Sequence, residues 1–122
     1  MKKQLQLADE ALSDAGYLLQ DDRFKAAANR AYYAMFHAAH AILCYAGVKP
    51  PKTHGGVINL FGKHLVRSGK VERALGKHLQ DAYDLRQQSD YGTDARIGEL
   101  EVKQALELAE TFVAEVKNAL QA

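Results

Sequence analysis

The sequence predicts an all-α protein, folded as an up-and-down antiparallel bundle of four to five helices. Apolar residues recur every three or four positions through most of the chain, which is the period of a helix with one buried face. No stretch alternates apolar and polar residues for long enough to form a strand. The two prolines, Pro50 and Pro51, are adjacent, so one strong break divides the helical pattern.

The first two predicted helices cover residues 3–20 and 23–46. The first carries an apolar stripe formed by Leu5, Ala8, Leu12, Ala15 and Leu19. Asp21 and Asp22 are expected to cap the second helix. That helix is rich in alanine and apolar on most of its sides, with Tyr32 among its apolar positions, which predicts a buried, central position in the bundle. Gly47 is expected to end it.

Three further helices are predicted after the prolines. Thr53 can cap a helix over residues 54–67, which ends at Ser68 and Gly69. The next helix runs from Val71 to about Gln88, and residues 89–98 are expected to form a polar loop. The last helix runs from about Glu99 to Leu120. Its inward positions are Leu100, Ala105, Leu108, Phe112, Val116 and Leu120.

Composition indicates one soluble domain over residues 1–122. There are 16 Lys and Arg against 15 Asp and Glu, a formal net charge of +1, which favours neither a duplex-binding nor a membrane-surface protein. No apolar run is long enough to cross a membrane, and the N-terminus lacks the core of a signal peptide, so a cytoplasmic location is expected. The single cysteine, Cys44, excludes an internal disulfide and is expected to be a small buried side chain.

A polar stripe crosses the most apolar helix. Arg30, Tyr33 and His37 stand at i, i+3 and i+7, so they share one face, and Asn29 lies one turn from Tyr33. The stripe is either an internal hydrogen-bond network that orders the core or a cleft, within one chain or between two.

A second polar group closes the fourth predicted helix: Tyr83, Arg86, Asp90 and Tyr91. Arg86 and Asp90 are four residues apart, on one face if the helix reaches Asp90. The pair is either an exposed salt bridge of small energetic value or an arginine held by a carboxylate so that it can meet a phosphate.

The histidines predict no metal site, and no cofactor is expected. His37 and His40 have a spacing compatible with one metal ion, but no third ligand lies nearby in the sequence. His54 precedes Gly55 and Gly56 at a predicted helix start, where it is either part of a turn or a member of the cleft.

Four segments together resemble the HEPN domain family, in particular its small stand-alone bacterial and archaeal members. They are residues 27–39 (AANRAYYAMFHAA), 52–54 (KTH), 86–91 (RQQSDY) and 109–113 (AETFV). The resemblance implies a helical bundle that commonly dimerises. It also implies, for many members, a metal-free RNase whose signature is an arginine followed four to six residues later by a histidine. Many such proteins pair with a minimal nucleotidyltransferase, as toxin and antitoxin, and the partner can adenylylate a tyrosine.

Carried over to this chain, the resemblance assigns the signature arginine to Arg86 and its supporting polar residue to Asn29. Tyr91 stands where the histidine is expected, and no histidine follows Arg86. The spacing from Arg30 to His37 also fits the signature, but it lies in the wrong helix and is treated as coincidental. Tyrosine is a poor base at neutral pH because its ordinary pKa is near 10.

Three functions remain open at this point. One is a homodimeric module that binds RNA or a nucleotide and acts with a minimal nucleotidyltransferase. The second is an RNase toxin with an altered catalytic set of Arg86, Asp90 and Tyr91, in which Asp90 is the base and Arg86 stabilises the phosphate charge. The third is a structural or regulatory subunit whose polar face is only a dimer interface.

Overall fold

Five α-helices account for most of the chain, so the all-α prediction is confirmed. They are α1 (Lys2–Gln20), α2 (Phe24–Tyr45), α3 (His54–Phe61), α4 (Arg73–Tyr91) and α5 (Glu99–Gln121). A π-helical segment, Gly62–Val66, continues α3. The computed structural model describes residues 2–91 and 97–121, without the side chain of Tyr91.

Helix α2 occupies the centre of the bundle, as its composition predicts. It packs against α1, α3, α4 and α5, and α1 also contacts α5. Alanines form much of the contact between α1 and α2, because Ala8, Ala11 and Ala15 join Ala31, Ala34, Ala38 and Ala39 in one buried cluster. Their small side chains let the two helix backbones approach closely.

Large side chains fill another part of the same core. The rings of Phe61 and Phe112 are fully buried, with centroids 5.3 Å apart. Leu65, from the π-helical segment, and Val116 are buried in the same cluster. Within the described ranges, no helix combines the length and apolarity that crossing a membrane requires.

The glycines end their helices as expected, whereas the expected cap of α2 is wrong. Gly47 and Gly69 both adopt φ +79, a left-handed conformation that suits glycine at a helix end. Arg23, rather than Asp21 or Asp22, precedes α2, and no side chain caps that helix. The Asp21 carboxylate instead accepts a hydrogen bond from Arg23 Nε at 2.7 Å.

Thr53 caps α3 as expected, since its hydroxyl accepts a hydrogen bond from the Gly56 backbone N–H at 3.1 Å. Replacing Thr53 with alanine should therefore lower the free energy of unfolding by about 1 kcal/mol, measured by urea denaturation. Thr53→Ser keeps the acceptor and should stay close to the wild type. Equal stability of Thr53→Ala and the wild type would show that the cap contributes nothing.

The end of α4 differs from the prediction. Helix α4 continues through Ser89 and ends at Tyr91, whereas the sequence predicts a loop from residue 89. Residues 92–96 of the predicted loop lie outside the described residues. Ser89 is buried, and its hydroxyl donates to the Leu85 carbonyl at 2.8 Å. This bond to the preceding turn satisfies the buried hydroxyl inside the helix.

Three residues predicted to be buried are exposed. Leu100 and Leu108 stand two positions from the buried Val102 and Leu106, which places them on the other side of α5. Cys44 is also exposed. It lies two positions from the buried Ile42, which places it on another side of α2.

Candidate functional site

An aromatic cluster lies where α2, the start of α3 and α4 meet. Its members are Tyr32, Tyr33, Phe36, His54 and Tyr83. The His54 ring centroid is 4.7 Å from that of Phe36 and 5.5 Å from that of Tyr33. Helices α2 and α4 therefore place their aromatic residues around the imidazole at the start of α3.

Two arginines from different helices contact one ring of this cluster. The guanidinium carbon of Arg30, on α2, lies 4.8 Å from the Tyr33 centroid, and that of Arg86, on α4, lies 5.5 Å from it. Arg86 is also 5.8 Å from the Tyr32 centroid. Cation–π contacts of this kind hold a guanidinium in place without consuming its N–H donors.

Arg86 is mostly buried and is paired with one carboxylate. Its side chain retains 12% of its exposure, and its Nε lies 3.2 Å from Oδ2 of Asp90. These two atoms form an ion pair but not a hydrogen bond, so Arg86 Nε has no hydrogen-bond partner among the described residues. The predicted juxtaposition of Arg86 and Asp90 on one face of α4 is confirmed.

Asn29 supports the other arginine. Its side-chain oxygen accepts hydrogen bonds from Nε and Nη2 of Arg30 at 3.1 and 2.9 Å. No hydrogen bond joins Asn29 to Arg86 in the described part of the chain, which differs from the role that the family resemblance implies. Asn29 orients Arg30 instead.

A shallow cleft of about 640 Å³ lies beside Arg30 and Asp90, the carboxylate partner of Arg86. Its walls are formed by Leu18, Lys25, Ala26, Asn29, Arg30, Ser89 and Asp90. Lys25 and Arg30 bring two positive charges to this surface and Asp90 one negative charge. The volume and the net positive charge of the cleft therefore suit a polyatomic anion.

His54 is the residue whose surroundings sequence reasoning missed. Its Nδ1 lies 2.7 Å from the hydroxyl of Tyr32, which had been assigned to the apolar core, and its Nε2 lies 3.5 Å from the hydroxyl of Tyr33. Burial, followed by the charge of Arg86, lowers the pKa of His54. Burial raises the pKa of Tyr32, so its phenol stays protonated.

The remaining predicted residues are Tyr83, which belongs to the aromatic cluster, and His37 and Tyr91. Tyr83 accepts a hydrogen bond from Gln87 Nε2 at 2.6 Å. His37 continues the stripe, with its ring 6.1 Å from Tyr33 and its Nδ1 3.2 Å from the Gln4 side-chain oxygen. The Tyr91 side chain lies outside the described residues.

The described ranges contain no group of three or more His, Cys, Asp or Glu placed to hold a metal ion. Exposed Cys44 contacts His40, with Sγ 3.7 Å from Nδ1. This pair has no third donor beside it in the described ranges.

We expect the protein to lose stability as the pH falls from 7.5 to 5.5. The folded-state pKa values of His37, His40 and His54 are all lowered, chiefly by burial. The unfolded chain then binds more protons than the folded one below about pH 6.5, so protonation favours unfolding. Thermal melts should show a lower Tm at pH 5.5, with a smaller decrease in His37→Gln. Equal decreases would contradict a contribution from His37.

Comparison with known proteins gives one family. A model of the HEPN domain matches residues 1–119. The protein named "Putative toxin MJ0605" from Methanocaldococcus jannaschii is 38% identical over 117 residues, which are 96% of this chain and 86% of that protein. A Thermotoga maritima protein named "UPF0332 protein" is 35% identical over 114 residues, 93% of this chain and 86% of its own length.

Proposed function

The chain belongs to the HEPN domain family, and on that premise we propose that it is a homodimeric module that binds phosphate groups of RNA or a nucleotide. It acts with a minimal nucleotidyltransferase in a toxin–antitoxin-like pair. The phosphates occupy the cleft lined by Lys25, Arg30 and Asp90, next to the ion pair of Asp90 with Arg86. Tyr33 is the platform on which both guanidiniums are held.

The observation that carries this proposal is the state of Arg86. Arg86 is 12% exposed, lies against tyrosine rings and has one carboxylate, that of Asp90, beside its Nε. No hydrogen bond within the described residues involves its terminal guanidinium nitrogens, which leaves these donors for an anion. Phosphate oxygens match the donors of arginine in geometry and charge. Arg30 and Lys25 add positive charge on the same side, which favours a polyanion.

The role in a pair is supported by the relatives. Two proteins of Methanocaldococcus jannaschii that resemble this chain carry the word toxin in their names, and the second is 27% identical over 120 residues. The family resemblance implies the nucleotidyltransferase partner and the dimer.

Metal-free cleavage of RNA is the second candidate. It requires a base beside the arginine, and Asp90 is close enough for that role because its Oδ2 lies 3.2 Å from Arg86 Nε. This function predicts that RNA is cut in the presence of a chelator and that Asp90→Asn stops the cutting.

The test is a titration of the purified protein with fluorescent single-stranded RNA, and separately with AMP, in the presence of a chelator. We expect saturable binding that weakens with added salt, and intact RNA on a gel after the titration. Light scattering should give a dimer, and co-expression should yield a complex with a minimal nucleotidyltransferase.

Each outcome of this test separates the three functions. A folded protein that binds neither RNA nor AMP would overturn the proposal. It would then favour a structural or regulatory subunit. Cleavage that disappears in Asp90→Asn would replace the proposal with the RNase function.

A further inference from the structure

The hydrogen bond between Tyr32 and His54 determines what the imidazole can do. We infer that Tyr32 holds His54 as the neutral tautomer protonated on Nε2, and that this N–H donates a hydrogen bond to a phosphoryl oxygen of the bound ligand. The assignment of the tautomer stands on the geometry alone, whereas its action on a ligand rests on the proposed function.

The first step concerns the phenolic proton of Tyr32. Tyr32 has no exposed surface, and its hydroxyl contacts one polar atom among the described residues, His54 Nδ1 at 2.7 Å. Buried hydroxyl groups place their proton on an acceptor, because leaving it unsatisfied is unfavourable. If Nδ1 carried the proton and donated to Tyr32, the phenolic proton would be left without an acceptor. The hydroxyl therefore donates to Nδ1, and the proton of the neutral ring is on Nε2.

The second step concerns charge. The groups that face His54 are Tyr32 and Tyr33 from α2, and Tyr83 and Arg86 from α4. None of them is a carboxylic acid, and no carboxylate forms a salt bridge with His54 in the described ranges. Arg86 disfavours a second positive charge beside it. Burial and Arg86 together lower the pKa of His54, which agrees with a neutral ring.

The third step concerns the direction of Nε2. Its nearest polar neighbour is the Tyr33 hydroxyl at 3.5 Å, the outer limit of a hydrogen bond. Tyr33 is also the ring that Arg30 and Arg86 contact. The Nε2–H group is thus weakly used within the protein and lies beside the ring that both guanidiniums contact.

The consequence is a division of roles. A neutral Nε2–H group is a hydrogen-bond donor and has no lone pair to receive a proton, so His54 binds the ligand and does not act as a base through Nε2. Tyr32 is a positioning residue, since it acts through His54.

The tautomer is tested by NMR on the full-length protein labelled with ¹⁵N, using long-range imidazole correlations at neutral pH, with His54 assigned by its absence in His54→Gln. We expect the Nε2–H pattern. In Tyr32→Phe the titration midpoint of His54 should rise, because Nδ1 no longer accepts a hydrogen bond that a proton would displace. An Nδ1–H pattern in the wild type, or a midpoint that stays or falls in Tyr32→Phe, would overturn the inference.

The ligand role is tested with two substitutions of His54 that place an amide differently. The glutamine amide reaches the position of Nε2, whereas that of asparagine reaches only the position of Nδ1. His54→Asn should weaken binding of RNA or AMP about tenfold, and His54→Gln should recover most of the affinity. His64→Asn, a histidine outside the cluster, is the control, and melts of all variants check folding.

The outcomes distinguish the two proposals. Equal loss in His54→Gln and His54→Asn, or no loss in either, would overturn donation by Nε2–H while leaving the proposed function standing. A wild type that binds no ligand would overturn the ligand role together with the proposed function, and the NMR result would still decide the tautomer. Whether RNA or AMP shifts the Nε2–H resonance identifies the source of the phosphate.

Discussion

Replacement of Arg86 by alanine should weaken the binding of single-stranded RNA about 10- to 100-fold. A hydrogen bond to a charged group contributes about 1.5–3 kcal/mol, which corresponds to this range of affinity. The loss is expected at this position because Arg86 is fixed by the rings of Tyr32 and Tyr33 before any ligand arrives. Fluorescence anisotropy with labelled RNA measures it.

The salt dependence of binding separates a phosphate contact from a general loss of charge. Removing one phosphate contact should reduce the slope of log affinity against log salt by about 0.7 for a single strand. Arg86→Lys keeps the charge but not the planar donors, so it should give an intermediate affinity. Arg67→Ala removes an exposed arginine elsewhere and serves as the control. Similar affinities for Arg86→Ala and Arg67→Ala would contradict a site at Arg86.

Replacement of Phe112 by alanine should lower the free energy of unfolding by about 3–5 kcal/mol. Phe112 has no exposed surface, and its ring centroid lies 5.3 Å from that of Phe61. The substitution removes this contact and leaves a cavity beneath α5. Because a domain of this size has a net stability of roughly 5–15 kcal/mol, the variant should be near the limit of folding.

Urea denaturation monitored by circular dichroism measures this effect. Leu108→Ala is a matched control on the same helix, since Leu108 is 38% exposed and its truncation should cost much less. If the two variants were equally stable, the contact between Phe61 and Phe112 would not be a principal part of the core.

The fold could be predicted where local chemistry decides it. The alanine-rich pattern of α2 and the glycine at residue 47 indicated a central helix and its end, and Thr53 indicated a cap. The pattern failed at Leu100, because leucine in the first turn of α5 suits a helix whether it faces the core or solvent. It also failed at Ser89, whose low helix propensity is offset by a bond to Leu85 that only the folded helix reveals.

The site could be predicted in part. Arg86 with Asp90, and Arg30 with Tyr33, are close in sequence, so helical spacing alone brings them together. The pairing of Tyr32 with His54 spans 22 residues and depends on how α3 packs against α2. Tyrosine in an apolar stripe is ordinarily a core residue, so its hydroxyl gave no signal. The sequence also did not identify the hydrogen-bond partner of Asn29, which is its neighbour Arg30.

The alanine contact between α1 and α2 also has a thermodynamic consequence. An alanine side chain has no rotamers to lose when it becomes ordered, so this interface forms without the side-chain entropy loss that leucine or methionine would bring. That loss is concentrated instead around Phe61, Leu65 and Phe112. Enlarging Ala34 or Ala38 would therefore introduce both a steric clash and an entropy loss that the present interface avoids.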